Sequence, residues 1–399
     1  MRPILSAEEM AWVDRQTIRK RNSSAWELMQ EVAVEMAERL SARATKSSRF
    51  LFLCGPGNNG GDAYSVAEIL RKKFKVLVWP VLSPQSTDCK RAAKSCRAPR
   101  WKGGKLPEII VDGIFGNSQN PGLEMRIQKI IKSTRSDFHV ALDVPTAGFR
   151  ADLSLMVGYP KQILLSEESA EPCGDIEFVG KAFVAPRFWN EEFLEDQDFK
   201  MPTEKRSAFK TGRVGVVAGS AETPGAAFLA AEAVARMKVG YVHLFYPPMK
   251  NFKLSLEGAS FLYQFSDPSK KDLSTMDAWV LGPGGVRKKL LKKIASLKVP
   301  MVLDAAALEY ENLFHNSPRI ICTPHPGEAG RMLQVSTTEI QSDRLGALRA
   351  LVKKTGKSVY LKGAPGIFLS PGEKVVLNYS LYPVLARAGS GDVFSGVLG

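Results

Sequence analysis

Cysteine is scarce in this chain: five among 399 residues, scattered as Cys54, Cys89, Cys96, Cys173 and Cys322, with no C-x-x-C pair. That pattern excludes a disulfide framework and a structural zinc site, and it fits a reducing compartment. The first ten residues lack the apolar core of a secretory signal, and no later run is long and apolar enough to span a bilayer. A cytoplasmic protein with no membrane partner is therefore expected. There is no short-period repeat, no zinc-ligand spacing and no RNA-binding aromatic motif. The formal net charge of +14 is spread along the whole chain, in clusters no longer than Lys288-Lys289 and Lys292-Lys293. Such a charge favours polyanionic small molecules, and no nucleic-acid partner is expected.

What is present reads as α/β. A composition of 44% hydrophobic and 24% charged residues describes a globular protein, and the length suggests two domains. Ser6 and Glu9 form a capping box that opens a helix through Met10, Trp12, Val13 and Ile18, and a second amphipathic helix is predicted from about Ala25 to Leu40. Buried strands are predicted at 50–54, 75–79, 108–112 and 139–143, with a helix from about Ala63 to Lys73. Residues 190–205 are charged and aperiodic, which places a linker there, between domains at 1–195 and 205–399. Beyond it the alternation restarts, with strands at 213–218, 241–245, 278–281, 301–304, 319–322 and 358–361 and an alanine-rich helix from Gly225 to Lys238. Strands alternating with helices imply parallel sheets covered on both faces, with ligands at the strand C-termini.

Three motifs carry chemistry. Cys54-Gly-Pro-Gly-Asn-Asn-Gly-Gly-Asp62 lies between a strand and a helix. Its glycines let the backbone wrap an anionic ligand, while Asn58, Asn59 and Asp62 add polar groups; it is not a G-x-G-x-x-G fingerprint. Asp112 and Asp143 each end a predicted strand, and with an Asn and a hydroxyl such as Thr146 they offer hard oxygen ligands suited to a simple cation. The third is Ala388-Gly-Ser-Gly-Asp392 at the start of a helix, where backbone N–H groups form an anion site. A carboxyl beside bound phosphate has a natural task, taking a proton from a hydroxyl that attacks phosphorus.

By these motifs together with VDGIFG, DVPTAG, VAGSAETPGAA, VLGPGG, TPHPGE and YLKGA, the chain resembles the bifunctional NAD(P)H-hydrate repair family. The first half is similar to its epimerase domain, of the YjeF N-terminal type and Rossmann-like three-layer α/β/α fold. The second half is similar to its ribokinase-like dehydratase domain. The resemblance implies that the first domain interconverts the R and S epimers of hydrated NADH and NADPH. The second would dehydrate the S epimer with ADP or ATP and Mg2+. It assigns Asn58, Asn59, Gly60, Gly61, Asp62, Gly116, Asn117, Gly122 and Asp143 to the first substrate site, with Asp143 in proton transfer. Asn59, Asp112 and Thr146 are assigned to a potassium ion. In the second domain it assigns Ala226, Gly284, His325 and Asp392 to hydrated dinucleotide, and Lys362, Gly363, Ala364 and Gly391 to the nucleotide. Asp392 is the expected catalytic base, and a homo-oligomer is the expected assembly.

Departures from the family pattern are Ala63 in place of a glycine, the DVPTAG turn in place of DIPSG, the absence of an arginine after Phe115, and Ala306 in place of a carboxylate. The family also continues past the GSGD helix. Further C-terminal elements are therefore expected to cover Val393, Phe394, Val397 and Leu398, with weakened dehydratase activity in their absence. Two alternatives stay open on sequence alone: a ribokinase-like small-metabolite kinase, and a partly degenerate homologue with a binding or scaffold role.

Overall fold

Serine starts the first two helices. Ser6 Oγ accepts the Glu9 N–H at 3.2 Å while Glu9 Oε2 accepts the Ser6 N–H at 2.7 Å, which opens α1 (Ala7–Arg21). Ser24 and Glu27 repeat the exchange at 3.2 and 2.7 Å to open α2 (Ala25–Arg43). Each box satisfies two donors that the first helical turn leaves free.

The computed structural model describes residues 1–104, 107–117, 125, 129, 137–180, 183–198, 212–237, 239–246, 262–265, 272–315, 319–380 and 382–399. The chain divides into two units, Met1–Phe193 and Leu194–Gly399.

In the first unit β1 (Arg49–Cys54) leads into α3 (Asn58–Leu70), followed by β2 (Lys75–Pro80), β3 (Ile109–Gly113), β4 (Phe138–Leu142), β5 (Leu153–Val157) and β6 (Asp175–Val179). The strands lie in the order β2-β1-β3-β4-β5-β6, all parallel. Phe50 and Phe52 of β1 pack into one core layer with Met36, Tyr64 and Val66. Leu51 and Leu53 pack into the other with Ile110, Ile114 and Phe149. This two-sided burial is what a parallel sheet requires, and it puts the loops after β1, β3 and β4 at one edge.

In the second unit the elements are β7 (Arg213–Val217), α4 (Pro224–Arg236), β8 (Tyr241–Phe245), β9 (Leu262–Phe265), β10 (Ala278–Leu281), β11 (Met301–Leu303), β12 (Ile320–Cys322), α5 (Pro326–Leu333), α6 (Arg344–Thr355), β13 (Ser358–Leu361), β14 (Gly366–Leu369), β15 (Val375–Asn378) and α7 (Ser390–Leu398). The strand order is β15-β14-β13-β12-β11-β10-β7-β8-β9. Pairing is parallel from β13 to β9 and antiparallel through β14 and β15. The small residues of α7 face α4: a Cβ on Gly396 would lie 2.4 Å from the Ala230 carbonyl oxygen. Val393, Val397 and Leu398 stand 39%, 39% and 36% exposed, whereas Ser395 is fully buried.

Two sequence expectations change. The helix after β1 begins at Asn58 rather than near Ala63, so most of the glycine motif is the first helical turns and not a loop. The reason is packing. A Cβ on Gly55 would sit 1.8 Å from the Ile114 carbonyl oxygen, and one on Gly60 2.0 Å from the Gly55 oxygen. The glycines let the chain turn tightly enough to start the helix at once. Strands β5, β6, β9, β14 and β15 were not predicted. Gly122 and Lys238 lie outside the described residues. Among the described residues no helix is long and apolar enough to cross a membrane.

Gly55→Ala is expected to destabilise the first unit by about 3 kcal/mol, the upper end of ordinary overpacking penalties, because the obstacle is backbone. Gly57→Ala has nothing within 4 Å of its new Cβ, and is expected to cost less than about 1 kcal/mol. Urea unfolding of both variants checks the contrast.

Candidate active sites

The first site is a cavity of about 550 Å³ at the C-terminal edge of the first sheet. One wall is α1, through Ala7, Met10, Ala11 and Asp14; another is the start of α3, through Gly57, Asn58, Asn59 and Asp62. Gly116, Asn117 and Asp143 line the sheet side, with Lys161 behind them. The start of α3, which has no side-chain cap, lines this space, and a helix N-terminus favours anions. Gly60 and Gly61 do not line the cavity. They are packed behind it, against Gly55 and against Met29 and Cys89.

Asp143 follows β4 directly and adopts a left-handed φ of 65°. Its Oδ1 accepts the Val157 N–H at 3.1 Å and faces the Lys161 ammonium at 3.2 Å, while Oδ2 accepts the Asn117 N–H at 3.3 Å. Lys161 is 1% exposed, and its Nζ also donates to the Val157 and Tyr159 carbonyls at 2.5 and 3.1 Å. Gly116 permits the approach, since a Cβ there would lie 3.1 Å from Asp143 Oδ2. Asp62 and Asp14 are different: neither carboxyl accepts a hydrogen bond among the described residues. Burial, with Asp143 and Asp14 nearby, holds Asp62 well above the usual carboxylate range. Burial likewise pushes Asp14 up to about 6, opposed by the Lys161 charge.

Asp112 and Thr146 lie deeper, both fully buried. Asp112 Oδ1 accepts the Ile114 N–H at 3.0 Å and the Thr146 hydroxyl at 2.9 Å; Oδ2 accepts the Thr146 N–H at 2.7 Å. Burial still pushes this carboxyl up to about 6. Asn59 donates through Nδ2 to the Phe115 carbonyl at 2.8 Å, and its Oδ1 is buried with no hydrogen-bond partner. A buried carboxylate lacking a counter-charge and an orphaned amide oxygen are groups that a simple cation would satisfy. Among the described residues no group of three or more His, Cys, Asp or Glu side chains is placed to hold a metal ion; an amide, a hydroxyl and one carboxyl are hard oxygen donors, which suit an alkali cation rather than a transition metal.

The second site is built on α7, β11 and the turn before α5. Asp304, directly after β11, is 2% exposed; its Oδ1 faces Lys362 Nζ at 2.7 Å and its Oδ2 accepts the Ser395 hydroxyl at 2.6 Å. Lys362 lies 3.8 Å from Glu328 Oε2. A Cβ on Gly391 would meet the same ammonium at 3.4 Å, so positive charge stands at the mouth of α7. Asp392, in the first turn of α7, is raised above the usual range by burial, then by Asp304, with Lys362 opposing. His325 caps α5: its Nδ1 accepts the Gly327 and Glu328 N–H groups at 3.0 and 3.4 Å. That leaves Nε2 as the protonated nitrogen in the neutral ring, on a half-exposed side chain. Arg344 donates to the Lys362 and Pro365 carbonyls at 3.2 and 2.8 Å, shaping the loop that contains Gly363 and Ala364. Ala226 and Gly284 meet at the start of α4, where a Cβ on Gly284 would be 2.6 Å from the Ala226 Cβ and the Thr223 hydroxyl donates to the Gly284 carbonyl at 2.6 Å.

Comparison with known proteins matches both halves. Residues 25–157 match the family described as YjeF-related protein N-terminus, and residues 214–399 match the family described as NAD(P)H-hydrate dehydratase. A bifunctional NAD(P)H-hydrate repair enzyme of Coxiella burnetii is 28% identical over 94% of this chain and 85% of its own length. The Escherichia coli enzyme of that name is 29% identical over 88% of this chain and 75% of its own. The chain belongs to the bifunctional NAD(P)H-hydrate repair family. The crystal structure of the ADP/ATP-dependent NAD(P)H-hydrate dehydratase of Bacillus subtilis with ATP/Mg2+ is 24% identical, covering 51% of this chain and 78% of that one, at a TM-score of 0.47.

Four charged residues of this family member stand in the sites without having been singled out from sequence: Asp14, Lys161, Asp304 and Glu328. Asp14 carried a signal, since it falls on the face of α1 that holds Met10, Val13 and Thr17, where an apolar residue is the default. Asp304 ends a strand as Asp143 does. Lys161 and Glu328 are placed by tertiary packing alone.

Lys362→Met is expected to destabilise the second unit by about 3 kcal/mol, because it strands a buried carboxylate. The double change Lys362→Met with Asp304→Asn is expected to recover part of that loss. Urea denaturation of the two variants makes the comparison.

Proposed function

We propose that the two sites carry the two steps of nicotinamide-nucleotide repair. The first interconverts the R and S epimers of hydrated NADH and NADPH. The second dehydrates the S epimer using ADP or ATP. The observation that supports this best is that each unit presents a carboxyl to a glycine-built anion site at the C-terminal edge of a parallel sheet.

In the second unit Asp392 takes the proton of the substrate hydroxyl as its oxygen attacks the terminal phosphate. Burial beside Asp304 makes Asp392 a stronger base than an exposed aspartate. Lys362 and the α7 amides at Gly391 hold the phosphate, and Mg2+ bound with the nucleotide would add neutralising charge. The phosphate ester then leaves, restoring the dihydronicotinamide. Ala226, Gly284 and His325 contact the hydrated dinucleotide, and Gly363 and Ala364 line the nucleotide. Asp392→Asn is expected to bind nucleotide normally while dehydration falls about a hundredfold or more. Nucleotide titration by calorimetry and recovery of nicotinamide absorbance read the two parts; normal turnover in Asp392→Asn would overturn the assignment.

In the first unit Asp143 is the acid/base residue. The start of α3 takes the substrate phosphates, and Asn59, Asp112 and Thr146 hold a potassium ion. The cation has a stability signature. Asp112 is raised in the folded state, so its favourable contribution is complete below its unfolded value of about 3.9 and is lost as pH rises through about 6. Bound potassium offsets that loss only where Asp112 is ionised. Added KCl is therefore expected to raise Tm at about pH 8 more than an equal concentration of choline chloride, with the difference vanishing below about pH 6. Equal responses to both salts at about pH 8 would remove the cation from the site.

A further inference from the structure

The α1 wall of the first cavity carries a carboxyl with no structural task. Ala7, Met10, Ala11 and Asp14 line that wall at helical spacing, so one face of α1 is turned to the ligand space. The two alanines leave room beside Asp14. Its carboxyl accepts no hydrogen bond among the described residues, whereas Asp143 is held by two backbone N–H groups and an ammonium. Lys161, Asp143 and Arg15 act electrostatically on Asp14, and Asp14 and Asp143 act on Asp62, so the three carboxyls and the ammonium share one cavity.

Resting on the epimerase reading above, we propose that Asp14 is the second acid/base catalyst of the first site, acting on the face of the nicotinamide ring opposite Asp143. The chemistry requires two faces. The hydrated carbon carries a hydroxyl next to the ring nitrogen. In one direction the C–O bond breaks as the hydroxyl takes the Asp14 proton and leaves as water, while the nitrogen lone pair forms a C=N bond. Water then adds to the other face, its oxygen forming the new C–O bond and its proton passing to Asp143. The reverse direction exchanges the two roles, so the protein must hold one proton between two carboxyls. Lys161 suits that need. It lies 3.2 Å from Asp143 and also acts on Asp14. When Asp143 gains a proton, the ammonium charge is left to favour ionisation of Asp14, and the converse holds in reverse. The tuning agrees with the geometry: burial keeps Asp14 near about 6, where it gives and accepts a proton close to neutrality.

The test follows the ratio of R to S hydrated NADH by chromatography, with no nucleotide added, using the full chain. Asp14→Asn is expected to lower the epimerisation rate constant about a hundredfold or more, and to remove the alkaline limb of the wild-type pH profile. Asp14→Glu is expected to restore part of the rate. Dehydration of the S epimer in the presence of ATP is expected to stay unchanged in both variants, because it belongs to the other unit. Thermal stability of Asp14→Asn at about pH 8 is expected to match or exceed wild type, since a half-buried carboxyl raised to about 6 opposes folding above that pH. An Asp14→Asn rate within about threefold of wild type, with the same pH profile, would overturn the inference. A marked loss of stability with full activity in Asp14→Glu and Asp14→Asn alike would assign Asp14 to the fold and overturn it too. Absence of epimerisation in the wild-type chain would instead fault the reading on which it rests.

Discussion

A largely buried aspartate set immediately after a central parallel strand and paired with a lysine is the interaction on which both halves depend. Asp143 follows β4 and meets Lys161; Asp304 follows β11 and meets Lys362. Parallel sheets make such positions unavoidable. Their strands are buried on both faces, so polar chemistry collects where the strands end. A carboxylate there loses most of its hydration and is stable only with a cation and several donors. Each pair is therefore a fixed dipole inside a low-dielectric edge, and the rest of each site is arranged around it. In the first unit it sets the field felt by Asp14 and Asp62, and in the second the field felt by Asp392.

Glycine makes the other half of the arrangement, through close approach more than through ligand contact. Gly55 and Gly60 bring β1, the start of α3 and the Ile114 turn within backbone distance of one another, and Gly396 seats α7 on α4. The start of α3 is thereby brought to the wall of the first cavity. Two of the departures from the family pattern fit this packing. Ala63, where the family has glycine, is accommodated because Gly113 faces it: a Cβ on Gly113 would fall 2.5 Å from the Ala63 Cβ. In the DVPTAG turn the Thr146 hydroxyl and N–H both serve Asp112.

Much of this was legible in the sequence, and for physical reasons. The capping boxes at Ser6 and Ser24 are local, and the segments at 50–54, 108–112 and 278–281 are apolar enough to read as buried strands. Asp112, Asp143 and the GSGD turn declare themselves by sitting at strand ends or at a helix start. Other features are not local. β5 is interrupted by Ser154, and β6 begins and centres on the charged residues Asp175 and Glu177. β14 and β15 form an antiparallel pair around Pro371-Gly372, a turn signal inside a stretch of mixed polarity. The early start of α3 reverses the usual reading of glycine as a helix breaker, because steric crowding rather than propensity decides it. Lys161 becomes a site residue only when the chain after β5 folds back to Asp143.

The central claim is that one chain holds both an epimerase and a nucleotide-dependent dehydratase. Its most direct test is the extent of conversion of a mixture of R and S hydrated NADH incubated with ATP and Mg2+, over a time in which uncatalysed interconversion is negligible. Recovery of dihydronicotinamide absorbance from the whole mixture is the result expected of two working sites. A plateau at the S fraction would contradict the role given to Asp143 and its cavity, and no recovery with either ATP or ADP would contradict the role given to Asp392.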